Sequence, residues 1–201
     1  MKPEGGLDRS KGVMETPTRA DPHSPAGQEE ETAWVERAKN GDQEAYRMLV
    51  ERYQGQAVGL ALRIVRSPSD AEEVAQDAFV RAWAALPRFR GEARFGTWLH
   101  SIVSRRAIDR AKQLKGRQSR ETPLDEAPLT AGTTPDEVDR YERRQLSGRL
   151  LAQLNEAQRA VISLFYLEDQ SIEQVSASLA MPEGTVKTHL FRARRVLREA
   201  W

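Results

Sequence analysis

The chain has 201 residues and a formal net charge of +1, with 31 basic residues set against 30 acidic ones and no cysteine. Disulfides and thiolate metal sites are thereby excluded, and the three scattered histidines, His23, His100 and His189, show no metal-ligand spacing. Abundant Ala, Leu, Arg, Glu and Gln, with no strand-like alternation, predict an all-α protein. No apolar run reaches the roughly 18–20 residues of a membrane span, and the absence of an apolar signal core points to the cytoplasm.

Residues 1–30 are rich in Gly, Pro, Ser and charge and read as a disordered tail. Order is expected from near Thr32, where Trp34, Val35 and Ala38 mark a short helix ending at Asn40-Gly41. Asp42 is a good N-cap for the next helix, whose Ala45, Met48, Leu49, Tyr53, Ala57, Leu60, Ile64 and Val65 follow a 3.6-residue period up to Ser67-Pro68. Ser69-Asp70-Ala71-Glu72 has the form of a capping box. The helix it opens should run to about Leu86 and bury Val74, Ala78 or Phe79, Ala82 and Ala85. Its other face carries Asp70, Glu73, Gln76, Asp77 and Arg81, charges that by themselves suit a solvated face.

Aromatics set among arginines come next: Arg88, Phe89, Arg90, Arg94, Phe95 and Trp98. An amphipathic run follows, with Leu99, Ile102, Val103 and Ile108 on its apolar positions and Arg105, Arg106, Arg110, Lys112 and Lys115 on its polar ones, ending near Gly116. Between Arg88 and Arg120 the only acids are Glu92 and Asp109. Aromatic faces beside cations serve unpaired bases and a phosphate backbone together, although each ring taken alone could equally be core.

Residues 118–134 form a Pro-, Thr- and acid-rich stretch that reads as a flexible linker, and Thr134-Pro135-Asp136-Glu137 opens a second domain over residues 135–201. A helix to about Gln153 presents Val138, Tyr141, Leu146, Leu150 and Leu151. Asn155 and Gln158 cap the next, with Val161, Ile162, Leu164 and Phe165; Ser171-Ile172-Glu173-Gln174 is another capping box. A turn at Ala180-Met181 leads to Pro182 and a last helix ending near Glu199. Two short helices, a tight turn and a polar-fronted final helix predict a helix-turn-helix. Val186, Leu190, Ala193 and Leu197 share its inner face; Thr185, Lys187, Thr188, Arg192 and Arg195 point outward, and Gly184 clears a path for backbone to approach a phosphate. No paired carboxylates, nucleophile with base or phosphate-cradling glycine loop appears, so the sequence predicts neither an enzyme nor a cofactor or metal site.

Three stretches now define a resemblance: DAEEVAQDAFVRAW at 70–83, PRFRGEARFGTWL at 87–99 and PEGTVKTHLFRAR at 182–194. Together and in this order they resemble bacterial RNA polymerase sigma factors of the extracytoplasmic-function group, over roughly Trp34 to Leu197. The resemblance implies two small helical domains joined by the acidic linker: region 2 over residues 31–117 and region 4 over residues 135–201. It implies a dissociable subunit that binds core polymerase, recognises −35 and −10 elements and promotes melting. Asp70, Glu73, Gln76, Asp77 and Arg81 would dock on the largest catalytic subunits, so their face becomes an interface. Arg90, Gly91, Arg94, Phe95, Thr97 and Trp98 would open the −10 element and hold its single strand. Arg105 and Arg106 would touch the duplex just upstream. Gly184, Thr185, Lys187, Thr188, Arg192 and Arg195 would read the −35 element. The linker would thread the active-site cleft and RNA exit path, and an anti-sigma factor is an implied partner. Ser104 and Arg105 stand where the family often has Arg-Asn, and Arg106 replaces a usual leucine, which leaves −10 base preference open. An autonomous helix-turn-helix regulator would explain the last helix but not the aromatic-basic stretch. A protein-binding helical scaffold would leave both basic surfaces unused.

Overall fold

The computed structural model describes residues 25–118 and 150–199. Among these residues the architecture is helical throughout. Helices α1 (Pro25–Lys39), α2 (Gln43–Val65), α3 (Pro68–Ala85) and α4 (Phe95–Gln118) form an amino-terminal half. Helices α5 (Glu156–Ile162), α6 (Ile172–Leu179) and α7 (Glu183–Glu199) form a carboxy-terminal half. The linker beyond residue 118, the helix start at Thr134-Pro135 and residues 1–24 of the expected tail lie outside the described residues. Helix α1 begins at Pro25, earlier than the Thr32 start read from the sequence.

Local chemistry explains most boundaries. The Asp42 carboxylate accepts hydrogen bonds from the Glu44 and Ala45 amides, each at 3.0 Å, and so opens α2. Arg66 closes α2 in the left-handed region at φ 67°. The cap of α3 is Ser67 rather than Ser69: its hydroxyl faces the Asp70 amide, and Pro68 occupies the first helical position, where a missing N–H costs nothing. Both Ala78 and Phe79 are buried, but Ala85 is exposed, because the chain tightens into a 3₁₀ turn at Leu86–Arg88 that buries Leu86 in its place.

Leu49, Leu60 and Ile64 of α2 and Leu99 and Val103 of α4 are fully buried, with the alanine-rich inner face of α3 packed against both helices. In the carboxy-terminal half, α5 continues into a wide π turn over Ser163–Leu167, closed by the Glu168 amide on the Ser163 carbonyl at 3.1 Å. Reciprocal capping boxes at Asn155/Gln158 and Ser171/Gln174 start α5 and α6. Ala180, at φ 52°, turns the chain from α6 toward α7, whose Val186, Leu190 and Ala193 seat on the core. The halves touch: α4 packs against α6, and α2 against α5.

Candidate polymerase and nucleic-acid interfaces

The aromatic-basic stretch divides into a buried hub and an exposed rim. Phe95 is 2% exposed and packs on Tyr53 at 5.5 Å, Trp98 at 5.7 Å and Phe89 at 6.4 Å between ring centroids. It is therefore core, and its ring is not presented to a nucleic acid. Gly96 is also buried, and a Cβ there would lie 2.7 Å from the Tyr53 ring, so glycine is what lets α4 start against that tyrosine. Tyr53 in turn donates to Glu31 at 2.5 Å. Phe89 and Trp98 stack on each other at 4.8 Å and stay partly exposed. Around them Arg88, Arg90 and Arg94 are exposed, as is Gly91, which turns the loop at φ 73°. Thr97 is half-buried beside them. The structure thus brings Arg90, Gly91, Arg94, Thr97 and Trp98 to one rim and withdraws Phe95 from it.

The polar face of α3 is already partnered by the chain itself. Arg110 of α4 reaches Asp70 at 2.6 Å and Glu73 at 2.8 Å. Asp77 accepts from Arg106 at 2.6 Å and from Arg81 at 2.8 Å. Partial burial works to raise the Asp77 carboxyl, but the two arginine hydrogen bonds hold it below the usual carboxylate range. Hence four of the five docking candidates belong to a network that fastens α3 to α4, with Gln76 exposed beside it. The signal was in the sequence: acids at 70, 73 and 77 and arginines at 106 and 110 are complementary stripes at helical spacing, readable once the two helices are known to pack.

The structure adds a feature missed in the sequence. Gln43 and Tyr46 of α2 and Phe79, Val80 and Trp83 of α3 line an open groove. Val80 is 69% exposed, on a helix whose other apolar residues are mostly packed away. Trp83 rests on Tyr46 at 4.8 Å, and Tyr46 donates to the Phe79 carbonyl at 2.6 Å, which fixes the groove's wall. The outward valine broke the alanine stripe, and that break was the available signal.

On α7 the outward residues are where the periodicity placed them. Gly184, Thr185, Lys187, Thr188, Arg192 and Arg195 are all exposed. Thr188 donates to the Gly184 carbonyl at 2.8 Å, and the only carboxylate contacts of Lys187 and Arg195 among the described residues are Glu183 and Glu199 on the same helix, at 3.3 and 3.8 Å. Phe191 joins this face, 68% exposed. Arg194 instead turns onto Tyr166, donating to its hydroxyl at 2.7 Å. Arg105 faces the other half of the molecule and donates to the Ser178 and Ala177 carbonyls at 2.7 and 2.9 Å. Among the described residues no cluster of His, Asp or Glu could hold a metal ion, and no helix is long and apolar enough to cross a membrane.

Comparison with known proteins meets this geometry from outside. Residues 49–117 match the family model of Sigma-70 region 2, and residues 145–197 match that of Sigma-70, region 4. The ECF RNA polymerase sigma-E factor of Haemophilus influenzae is 35% identical over 178 residues, covering 82% of this chain and 92% of that protein. The RNA polymerase sigma-H factor of Pseudomonas aeruginosa is 33% identical over 186 residues, covering 86% and 94%. Two solved structures share the fold. CnrH in complex with the cytosolic domain of CnrY matches with a TM-score of 0.59 at 24% identity, covering 85% of this chain and 96% of that one. The Bartonella quintana sigma factor RpoE in complex with the anti-sigma factor NepR matches with a TM-score of 0.58 at 21% identity, covering 77% and 95%.

Proposed function

As a member of the sigma-70 family, to whose extracytoplasmic-function group the chain belongs, the protein is a promoter-specificity subunit of RNA polymerase, and we propose how its surfaces divide that work. The rim of Arg90, Gly91, Arg94, Thr97, Phe89 and Trp98 captures the melted −10 strand. Opening a duplex requires unstacking and unpairing, and the sequence carries no phosphate-cradling glycine loop of a nucleotide hydrolase to drive it. The unpaired strand must therefore be held: bases stack on the exposed parts of the Phe89 and Trp98 rings while Arg90 and Arg94 attract the backbone. The observation that carries this assignment is the placement of two exposed arginines and a positive-φ glycine beside two half-exposed stacked rings. Arg106 steadies α3 through Asp77, and Arg105 contacts the backbone of the duplex just upstream.

The outer face of α7 enters the −35 major groove. Its exposed Lys187, Thr188 and Arg192 are the candidates for base edges and phosphates, with Gly184 and Thr185 at the helix start and Arg195 further along. Core polymerase docks on α3 where Gln76 meets the Val80–Trp83 groove. Asp70, Glu73, Asp77 and Arg81 hold that surface in shape through α4 and supply its charged border. Residues 31–117 and 135–201 are the region 2 and region 4 domains, joined by the acidic linker that threads the polymerase. The protein works in the cytoplasm, where polymerase is, and has no catalytic activity of its own. An anti-sigma factor is the proposed regulator, supported by the bound partner in the Bartonella quintana complex.

The test is run-off transcription with purified core polymerase on a genomic library. Transcripts that start at a shared pair of −35 and −10 elements only when this chain is added are the expected result. An autonomous regulator would instead bind duplex tightly by itself and leave core polymerase without new start sites.

A further inference from the structure

Behind the rim beside Phe89 and Trp98 runs a chain of contacts that begins on α1. Tyr53 of α2 packs its ring on Phe95 at 5.5 Å, and Phe95 carries both Phe89 and Trp98. The far end of the Tyr53 ring lies against Gly96: a Cβ there would stand 2.7 Å from Tyr53 Cε1 and 3.1 Å from its hydroxyl oxygen. That backbone belongs to the start of α4, where the Arg94 carbonyl accepts from the Trp98 amide at 3.1 Å. Tyr53 therefore bears on the turn that joins Arg94 to Trp98, one a cation of the rim and the other a ring of it.

The ring is held in turn from α1. Its hydroxyl donates to Glu31 at 2.5 Å, and the Glu31 side chain is only 13% exposed. Arg52, still more buried, fixes α1 in place: it donates to the Gly27 carbonyl at 2.8 Å, pairs with Glu30 at 3.0 Å and lies over the Trp34 ring at 4.4 Å. Burial and the Glu31 hydrogen bond raise the Tyr53 hydroxyl above its ordinary range, so it remains a donor, while the charges of Arg52 and Arg94 oppose that rise. A buried tyrosine hydroxyl needs a partner, and here the partner stands on a separate helix. Removing it frees the end of the ring that bears on Gly96 and leaves the ring's packing on Phe95 in place.

We propose that Glu31 and Tyr53 are positioning residues for promoter opening: their hydrogen bond sets the ring against Gly96, and thereby the tilt at which the start of α4 presents Arg94 and Trp98 to the unpaired strand. The proposal rests on the strand-capture reading given above and deepens it. Neither residue touches DNA. Stacking and charge contacts depend steeply on placement, so a working site needs its side chains held to within about 0.5 Å by the residues behind them. Core docking is carried by α3 and −35 reading by α7, so loss of the Tyr53 hydroxyl should fall on opening alone.

Tyr53→Phe keeps the ring and its packing on Phe95 and removes only the hydroxyl. The full-length variant should co-elute with core polymerase as wild type does. Thymines of the −10 region should become permanganate-reactive about tenfold more slowly, the size expected from one hydrogen bond to a charged group. Glu31→Ala should match it, and the two changes together should be no slower than either alone. Glu31→Gln, which keeps an acceptor, should open near the wild-type rate. All of these variants should transcribe a template with a mismatched bubble at the wild-type level, which a general loosening of the fold would not allow. Glu30→Ala, which breaks the neighbouring Arg52 pair on α1, should leave opening unchanged. Wild-type opening by Tyr53→Phe, equal slowing by Glu31→Gln or Glu30→Ala, or a deficit that persists on the bubble would each overturn the proposal. Wild-type opening by Arg90→Ala with Arg94→Ala would instead overturn the strand-capture reading, so the two failures are distinguishable.

Discussion

Helices α4 and α7 both carry a basic stripe along a polar face, and in sequence the stripes look alike. In the folded chain they have opposite fates. On α4, Arg105 is seated on helix-end carbonyls, Arg106 on Asp77, Arg110 on Asp70 and Glu73, and Lys115 on Glu156. On α7, Lys187, Arg192 and Arg195 lie exposed, and the carboxylates that Lys187 and Arg195 meet are fellow residues of the same exposed helix. The same residue types thus build a scaffold in one place and an exposed basic face in the other. What separates them is the opposing element: α4 lies against acidic α3 and the carboxy-terminal half, whereas the outer face of α7 has solvent in front of it. Exposed ion pairs add little to stability, so the α7 stripe costs the fold little to redirect toward DNA.

Substitutions sharpen this contrast. The largest effect on folding is expected at Arg110→Ala, which removes two charge-assisted hydrogen bonds from carboxylates, one of them on the well-shielded Asp70. A loss of about 2–3 kcal/mol in denaturant unfolding is expected, since hydrogen bonds to charged groups contribute about 1.5–3 kcal/mol. Unchanged stability would mean that α4 is no more a scaffold than α7. Asp77→Arg would set three cations together between α3 and α4 and confound fold with docking. Val80→Asp is the cleaner probe of the docking face. It should lower co-elution with core polymerase by about tenfold, roughly 1.4 kcal/mol, with an unaltered melting curve. Normal co-elution would move the docking surface away from the groove.

On α7 the expected loss appears in recognition only. Lys187→Ala and Arg192→Ala should leave unfolding within about 0.5 kcal/mol of wild type. If Arg192 reads a base, its loss relaxes preference at one −35 position by about 1–3 kcal/mol; a phosphate contact would weaken all sequences alike. Transcription from promoters with single −35 changes distinguishes the two. If neither substitution alters −35 use, α7 does not read that element.

The smallest effect concerns pH where the two halves touch. Burial, reinforced by the nearby Arg63 charge, pushes His100 down to about 4 from its ordinary 6.5. Its neutral form is thus favoured in the folded chain. This contribution to stability is fully present above about pH 6.5 and falls by about 1.4 kcal/mol per unit from there toward 4, because the unfolded chain takes up the proton. Glu168, raised by burial and only partly offset by Arg63, works in the other direction at the acid end, and Asp169 adds to that rise. Denaturant unfolding should therefore show about 1 kcal/mol less stability at pH 5.5 than at pH 7.5. Constant or rising stability over that interval would show that His100 is not held neutral by the fold.

Much of this was legible in the sequence, because caps and periodicity are local. Asp42, Asn155 and Ser171 cap their helices as their side chains predict, and Val186, Leu190 and Ala193 face inward as their spacing requires. What was not legible depends on neighbours distant in the chain. Phe95 and Trp98 are equivalent in composition, yet Phe95 is the buried hub because Gly96 allows Tyr53 to close over it. The acidic face of α3 became part of the scaffold because Arg106 and Arg110 lie 29 and 40 residues further along the chain. The start of α3 moved to Ser67 because Pro68 is a better first helical residue than a competitor for the cap.

The central claim is that the rim beside Phe89 and Trp98 holds the melted strand while the rest of the fold only positions it. Permanganate reactivity of promoter thymines, measured with core polymerase and the full chain, tests it most directly. Wild-type protein should render thymines of the −10 region reactive. Arg90→Ala with Arg94→Ala should remove most of that reactivity yet still co-elute with core, and a template with a mismatched bubble should recover part of its transcription. Reactivity in the double variant equal to wild type would contradict the account.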